Sequence, residues 1–143
     1  MYLDWLGRKL GFRTREDWYR VTAKDFTDND GISLLGNHYH FSPYALLSTV
    51  YSDYRYRPWL FAAVPKGYFD LEMNRREYLN WLLETVKVSE YKELNANHFT
   101  QNHGSGLLAK YGGSPHLVVD SLRSTTSVLL PFLGIFPCAL LFL

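Results

Sequence analysis

Ala23-Lys24-Asp25-Phe26-Thr27-Asp28-Asn29-Asp30-Gly31 returns 73 residues later as Ala96-Asn97-His98-Phe99-Thr100-Gln101-Asn102-His103-Gly104, with Ala, Phe, Thr, Asn and Gly identical. An ordered self-match of this kind points to a repeat architecture more strongly than local propensity does. Upstream, Tyr2-Leu3-Asp4-Trp5-Leu6 meets Tyr78-Leu79-Asn80-Trp81-Leu82 at an offset of 76. Downstream, Leu34-Leu35 meets Leu107-Leu108, and Tyr39, Ser42-Pro43 and Leu46-Leu47 meet Tyr111, Ser114-Pro115 and Val118-Val119 at an offset of 72. The order of landmarks is kept while the offset shrinks, which describes two copies of one unit, the second shortened in its loops.

Each copy reads as short helices. In Tyr2 to Leu10 the apolar positions 2, 3, 6 and 10 form one stripe, widened by Trp5. Thr14 with Asp17, and Thr22 with Asp25, are N-cap pairs for two further helices, the first carrying Trp18 and Tyr19. Gly31 punctuates the chain before Ile32, Leu34 and Leu35. Ser42-Pro43 then places a capping hydroxyl ahead of a proline at the first helical position, opening a helix that buries Leu46, Leu47 and Val50. In the second copy Asn74 with Glu77 predicts a capping box ahead of Tyr78 to Val86. Two Ile and eight Val against 23 Leu also favour helices over a sheet. The expectation is therefore an all-α chain of two tandem units with an apolar C-terminal segment. Unit 1 spans 1–61, a linker 62–73, unit 2 spans 74–123, and the tail is 124–143.

Both ends depart from the pattern. The first copy begins inside its unit, and the match of the second stops at Arg123. Residues 124–143 carry no charge, and 13 of the 20 are apolar. As a membrane span, Val128 to Leu143 is short and is broken by Pro131, Gly134 and Pro137. Packing on the repeats is a second reading, and two prolines make a continuous helix costly there. The reading given most weight is that the repeat unit is cut and that non-native sequence follows Arg123. A charged amphipathic helix stands where a secretory signal would, so an intracellular location is the expectation.

Composition narrows the classes. With 47% hydrophobic and 20% charged residues the chain is neither an intrinsically disordered nor a collagen-like protein. Its single cysteine, Cys138, excludes a disulfide framework and a multi-cysteine zinc site. The net charge of +1 hides an uneven distribution. Between Arg8 and Lys24 six Lys/Arg face only Glu16 and Asp17, the kind of local asymmetry that phosphate contacts require. Tyr54-Arg55-Tyr56-Arg57 alternates rings with cations, a pattern suited to stacking on unpaired bases. The four tryptophans, Trp5, Trp18, Trp59 and Trp81, fall at unit landmarks, so filling of each small core is the expectation for them.

The landmarks carry a resemblance. Glu16-Asp17-Trp18-Tyr19-Arg20-Val21-Thr22, Asp30-Gly31-Ile32-Ser33-Leu34-Leu35, Ser42-Pro43 with Leu46-Leu47 and Tyr51, and Pro58-Trp59-Leu60-Phe61 resemble one unit of a multi-copy helical repeat of large eukaryotic proteins. That repeat is loosely similar to the helix-turn-helix-like repeats that accompany homing endonucleases. The resemblance covers residues 2 to about 122. It implies a helical architecture and a lean toward nucleic-acid association. The second copy departs from the pattern, with Tyr91 and Lys92-Glu93-Leu94 where the first has Trp18-Tyr19.

No reaction is legible. The chain contains no Gly-x-Ser-x-Gly elbow and no phosphate-binding glycine loop, and Cys138 lies in the tail without a local histidine, so no catalytic residue is expected. His38-Tyr39-His40 could present two imidazoles along an extended segment, and His98 and His103 flank a turn. His98 and His103 replace Asp25 and Asp30 of the first copy, so the copies share no ligand set, and neither a metal nor a cofactor is expected. The expected function is nucleic-acid binding, to DNA or RNA, through Arg8, Lys9, Arg13, Arg15 and Arg20, with Tyr54, Arg55, Tyr56 and Arg57 as a second surface. The alternative is a scaffold that binds other protein repeats, and a membrane ranks last among the partners.

Overall fold

The computed structural model describes residues 1–122. Among them every regular element is helical and there is no strand, so the fold is all-α. The chain divides into two compact units, Met1–Lys66 and Gly67–Leu143. The apolar segment 124–143, with the three readings of it, lies outside the described residues. Among those described, no helix is long and apolar enough to cross a membrane.

Unit 1 holds α1 (Tyr2–Leu10), a 3-10 turn at Glu16–Arg20, α2 (Ala23–Asp28), α3 (Ile32–Tyr39), α4 (Pro43–Val50) and a second 3-10 turn at Pro58–Leu60. The starts of α2 and α4 have a local cause. The Thr22 hydroxyl caps the Asp25 N–H while the Asp25 carboxylate accepts from the Thr22 N–H at 2.8 Å, a reciprocal capping box. The Ser42 hydroxyl accepts from the Ala45 N–H at 3.2 Å, with Pro43 at the first helical position. Helix α1 stops at Gly11, whose φ of 78° the missing Cβ permits. The buried core gathers Leu3, Leu6, Trp18, Val21, Phe26, Leu35, Leu46, Leu47, Tyr51, Tyr56 and Phe61.

Unit 2 holds a 3-10 turn at Tyr68–Asp70, α5 (Glu72–Val86), a 3-10 turn at Tyr91–Glu93, α6 (Ala96–Gln101), α7 (Ser105–Lys110) and α8 over residues 115–122. Its buried residues include Leu79, Leu82, Leu94, Phe99, Leu108, Val118 and Val119, which stand at the positions of Leu3, Leu6, Val21, Phe26, Leu35, Leu46 and Leu47. The same polar locks recur as well. Tyr2 Oη donates to the Asn29 carbonyl at 3.0 Å, and Tyr78 Oη to the Asn102 carbonyl at 2.9 Å. The Gly31 N–H reaches the Phe26 carbonyl at 2.7 Å, and the Gly104 N–H the Phe99 carbonyl at 2.8 Å. In both units the residue before that glycine is left-handed, Asp30 with φ 61° and His103 with φ 64°. Two consecutive left-handed residues follow later, His40 and Phe41 in unit 1, Gly112 and Gly113 in unit 2. Only the second pair adopts that backbone without strain.

Three expectations are corrected. Asn74 does not cap a helix, because α5 begins earlier at Glu72, and the Asn74 amide donates to the Tyr68 carbonyl at 2.7 Å. The cause is Arg75, 7% exposed, whose guanidinium donates to the carbonyls of Phe69 and Asp70 at 2.8 Å each and to Ser121 Oγ at 3.1 Å. Those bonds hold the chain entering α5 against the helix start, inside the stretch expected to be linker. Trp5 does not fill the core, being 44% exposed beneath the Lys9 ammonium, whereas Trp18 and Trp59 are buried. The Thr14 and Asp17 pair forms its bonds but starts a 3-10 turn, not an α-helix.

Gly31 and Gly104 have negative φ, so space and not conformation requires them. A Cβ at either would lie 2.2 Å from the hydroxyl of Tyr2 or Tyr78. Gly104→Ala is expected to cost about 2–3 kcal/mol of stability, the scale of overpacking a filled core. Gly31→Ala costs less, because Tyr2 is half-buried and its ring has room to move, while Tyr78 is fully buried. Adding Tyr78→Phe to Gly104→Ala returns part of the loss. Urea unfolding of these variants checks the set, and an undiminished loss in the double variant would contradict the close-approach account.

Candidate nucleic-acid interface

Helix α1 turns Leu3 and Leu6 into the core, and Gly7 lies between that face and the exposed one. A Cβ at Gly7 would stand 2.9 Å from Cζ2 of Trp18, so the missing side chain lets the indole lie against the helix. The chain leaving α1 then passes over this contact through Phe12, Arg13, Thr14 and Arg15. Together these residues bound a cleft of about 570 Å³ lined by Leu3, Asp4, Gly7, Arg8, Phe12, Arg13, Thr14, Arg15, Trp18 and Tyr51. Three arginines and one carboxylate thus border a floor of apolar and aromatic groups.

Arg15 is the most organised of the three. Its guanidinium lies 3.7 Å from the centroid of the Tyr51 ring, a cation–π stack, and 3.7 Å from the Asp53 carboxylate. Its carbonyl accepts from the Tyr56 hydroxyl at 3.1 Å. Burial, with Asp4 adding to it, pushes the Tyr51 hydroxyl up from the ordinary tyrosine range, so this ring stays neutral at physiological pH. Arg8 and Arg13 are exposed, and among the described residues their side chains have no ion-pair or hydrogen-bond partner.

The loop that carries Arg13 and Arg15 is tied by Asp17. One carboxylate oxygen accepts from the backbone N–H of Arg13 at 2.8 Å and of Thr14 at 2.9 Å, and the other accepts from Arg20 at 2.9 Å. The Arg13 N–H first, then the Thr14 N–H, hold the Asp17 carboxyl down to about 2.

Of the sequence-derived site residues, the structure brings Arg8, Arg13 and Arg15 to one cleft and sends the others elsewhere. Lys9 sits over the Trp5 ring at 5.1 Å. Arg20 is paired with Asp17 and lies 5.1 Å from the Phe12 centroid. The Tyr54 to Arg57 surface needs correction as a stacking platform. The segment is not helical, and alternate side chains fall on opposite sides, so Tyr54 and Tyr56 turn inward while Arg55 and Arg57 are exposed. Tyr56 is 4% exposed. The two tyrosine rings meet at 4.7 Å and join Tyr19 and Phe61 in edge-on and tilted contacts. Burial first, then a bond with Tyr19, pushes the Tyr54 hydroxyl up to about 12. The Arg57 N–H donates to the Tyr19 hydroxyl at 2.9 Å, fixing the strap.

His38 and His40 are likewise not on an extended segment. They lie at the end of α3, with His40 as its left-handed cap. No group of three or more His, Cys, Asp or Glu side chains that could hold a metal occurs among the described residues.

Unit 2 builds a cleft at the same place, about 410 Å³, lined by Leu83, Ser89, Glu90, Tyr91 and Lys92. At the offset of 76 Leu83 and Ser89 are the counterparts of Gly7 and Arg13, and Glu84 that of Arg8, whereas Tyr91, past the shortening of the loop, stands where unit 1 has Trp18. The Tyr91 hydroxyl bonds Asn80, the counterpart of Asp4, and Lys92 pairs with Glu90 at 2.8 Å. None of the three cleft arginines is present in unit 2.

Because the folded Asp17 carboxyl titrates below its unfolded value of about 3.9, its contribution to stability is present above about pH 4 and is lost as pH falls toward 2. Carbon-detected NMR of the Asp17 carboxyl should give a midpoint of about 2, and Asp17→Asn should remove this part of the acid limb of the stability profile. A midpoint near 4 would contradict the ordered loop.

No family model matches the chain, and no curated protein or solved structure matches it.

Proposed function

We propose that the two units are copies of one helical repeat and that unit 1 is a nucleic-acid-binding module. The recurrence of buried landmarks, tyrosine locks and left-handed turns supports the first statement. The convergence of Arg8, Arg13 and Arg15 on one cleft, with Arg15 stacked on Tyr51, is the observation that carries the second. Guanidinium groups suit phosphate oxygens because their planar fork makes paired, charge-assisted hydrogen bonds. Stacking on Tyr51 and the Asp53 carboxylate hold the Arg15 guanidinium in place, which reduces the freedom lost on binding. Arg8 and Arg13 need not break a contact among the described residues in order to engage a phosphate.

A protein-interaction reading draws on a different feature. Phe41 is 59% exposed and holds a left-handed backbone that its counterpart Gly113 adopts without strain. An exposed aromatic kept at such a position suits a protein partner, and binding through it would be insensitive to salt.

Fluorescence anisotropy with labelled single- and double-stranded oligonucleotides of mixed sequence separates the two. Three phosphate contacts give a log-log salt slope of about −3 for a duplex and about −2 for a single strand. Arg8→Ala or Arg13→Ala should each weaken binding and flatten that slope by about one, with Lys24→Ala leaving it nearly unchanged. Absence of binding at low salt, or binding indifferent to Arg8→Ala and Arg13→Ala, would overturn the nucleic-acid reading.

A further inference from the structure

Resting on the nucleic-acid reading, we infer that the unit 1 cleft takes the phosphorylated end of a single strand and not an internal stretch of backbone. A track for phosphodiesters needs cations laid along a surface, each meeting one charge. The basic run of the sequence does not form such a track. Lys9 is drawn to Trp5, Arg20 to Asp17 and Phe12, and Lys24 to Asp28, so the arginines at one focal cleft are what remains.

A focal cluster of guanidinium groups matches a phosphomonoester. That group carries about −1.5 to −2 charge at neutral pH and offers three strong acceptor oxygens on one phosphorus, against a single charge on a diester. Arg8 and Arg13 are free to close on it from the rim, and Arg15 is held in place by Tyr51. The walls then fit what a strand end attaches to its phosphate. Beside the cations the half-buried Phe12 ring gives a surface on which a terminal nucleoside can lie, backed from the core by Leu3 and Trp18, which are 2% and 4% exposed. The space of about 570 Å³ is that of an open cleft on the scale of one small molecule, far below what a stacked duplex occupies.

Asp4 completes the selection. Its carboxylate stands on the same rim and repels a second phosphate brought close to the first, as an internal backbone would do. It also accepts hydrogen bonds from sugar hydroxyls or base amino groups, which an end presents. Unit 2 serves as an internal contrast, because Glu84 and Ser89 stand in place of Arg8 and Arg13, the turn that follows carries no arginine, and the Tyr91 hydroxyl is committed to Asn80. The same backbone cleft there lacks the charge that a dianionic group needs.

The test uses the full chain and single-stranded oligonucleotides of one sequence, labelled internally and ending in a 5′-phosphate, a 3′-phosphate or hydroxyls at both ends. The expected result is at least 10-fold tighter binding of a phosphate-ended strand than of the hydroxyl-ended one. Arg13→Ala and Arg8→Ala should abolish the advantage, and Lys24→Ala, outside the cleft lining, should keep it. Both cleft arginines are exposed and unpaired among the described residues, and circular dichroism confirms that the variants are folded. Equal, salt-dependent binding of all three strands would overturn the strand-end inference while leaving the nucleic-acid reading in place. Binding of none would overturn both. Adenosine 5′-monophosphate binding as tightly as the phosphate-ended strand would also overturn the inference, by making the cleft a free-nucleotide site.

Discussion

In each unit the first helix is fixed by one tyrosine hydroxyl on one carbonyl, with a glycine beside it that leaves room for the ring. Tyr2 reaches over Gly31 to Asn29, and Tyr78 reaches over Gly104 to Asn102. A single such hydrogen bond contributes only about 1 kcal/mol net. Its consequence is larger, because it sets where the helix lies against the capped helix and left-handed turn that carry the carbonyl. Leu3 and Leu6, or Leu79 and Leu82, are then delivered to the core, and Phe26 or Phe99 is sealed beneath the tyrosine ring. The flank of the helix next to the core becomes one wall of a cleft in both units.

What fills that flank decides the chemistry of the cleft. In unit 1, Gly7 lets the Trp18 indole lie against α1, and the floor is aromatic with arginines around it. In unit 2, Leu83 occupies the position of Gly7, and the following turn is shorter and has no tryptophan. These changes are coupled by volume. A leucine at the Gly7 position would collide with the indole, and a glycine at the half-buried Leu83 position would widen the open cleft it lines. Loss of the three arginines in unit 2 adds a change of charge to this change of shape. The proposed division of labour between the units follows from both.

Much of the scaffold was legible in sequence, and the reasons are local. The Thr22 and Asp25 box and the Ser42-Pro43 start are decided within four residues, so capping chemistry reads them directly. The start of α5 was not legible, because it depends on Arg75 binding carbonyls before the helix and a serine 46 residues away. For the same reason Trp18 and Tyr51 were missed as cleft residues. Tyr51 meets Arg15 only after α4 has folded back, and the one sequence signal was Gly7, a residue without a side chain on an otherwise apolar helix face. Arg8, Arg13 and Arg15 were visible as basic residues but could not be told from Lys9 and Arg20, whose partners are set by ring positions. The alternation of Tyr54 to Arg57 misled because a period of two sends its rings inward, toward Tyr19 and Phe61.

The account stands or falls on whether the cleft of unit 1 is where nucleic acid is held. The most direct measurement is NMR of the backbone amide, arginine Nε–H and tryptophan indole resonances of the full chain during titration with a single-stranded oligonucleotide carrying a 5′-phosphate. The account predicts shifts at Arg8, Arg13, Arg15 and the Trp18 indole, with Arg20, Arg57 and the unit 2 residues Ser89 and Tyr91 little changed. Shifts spread evenly over the arginines, or centred on the cleft of unit 2, would contradict it.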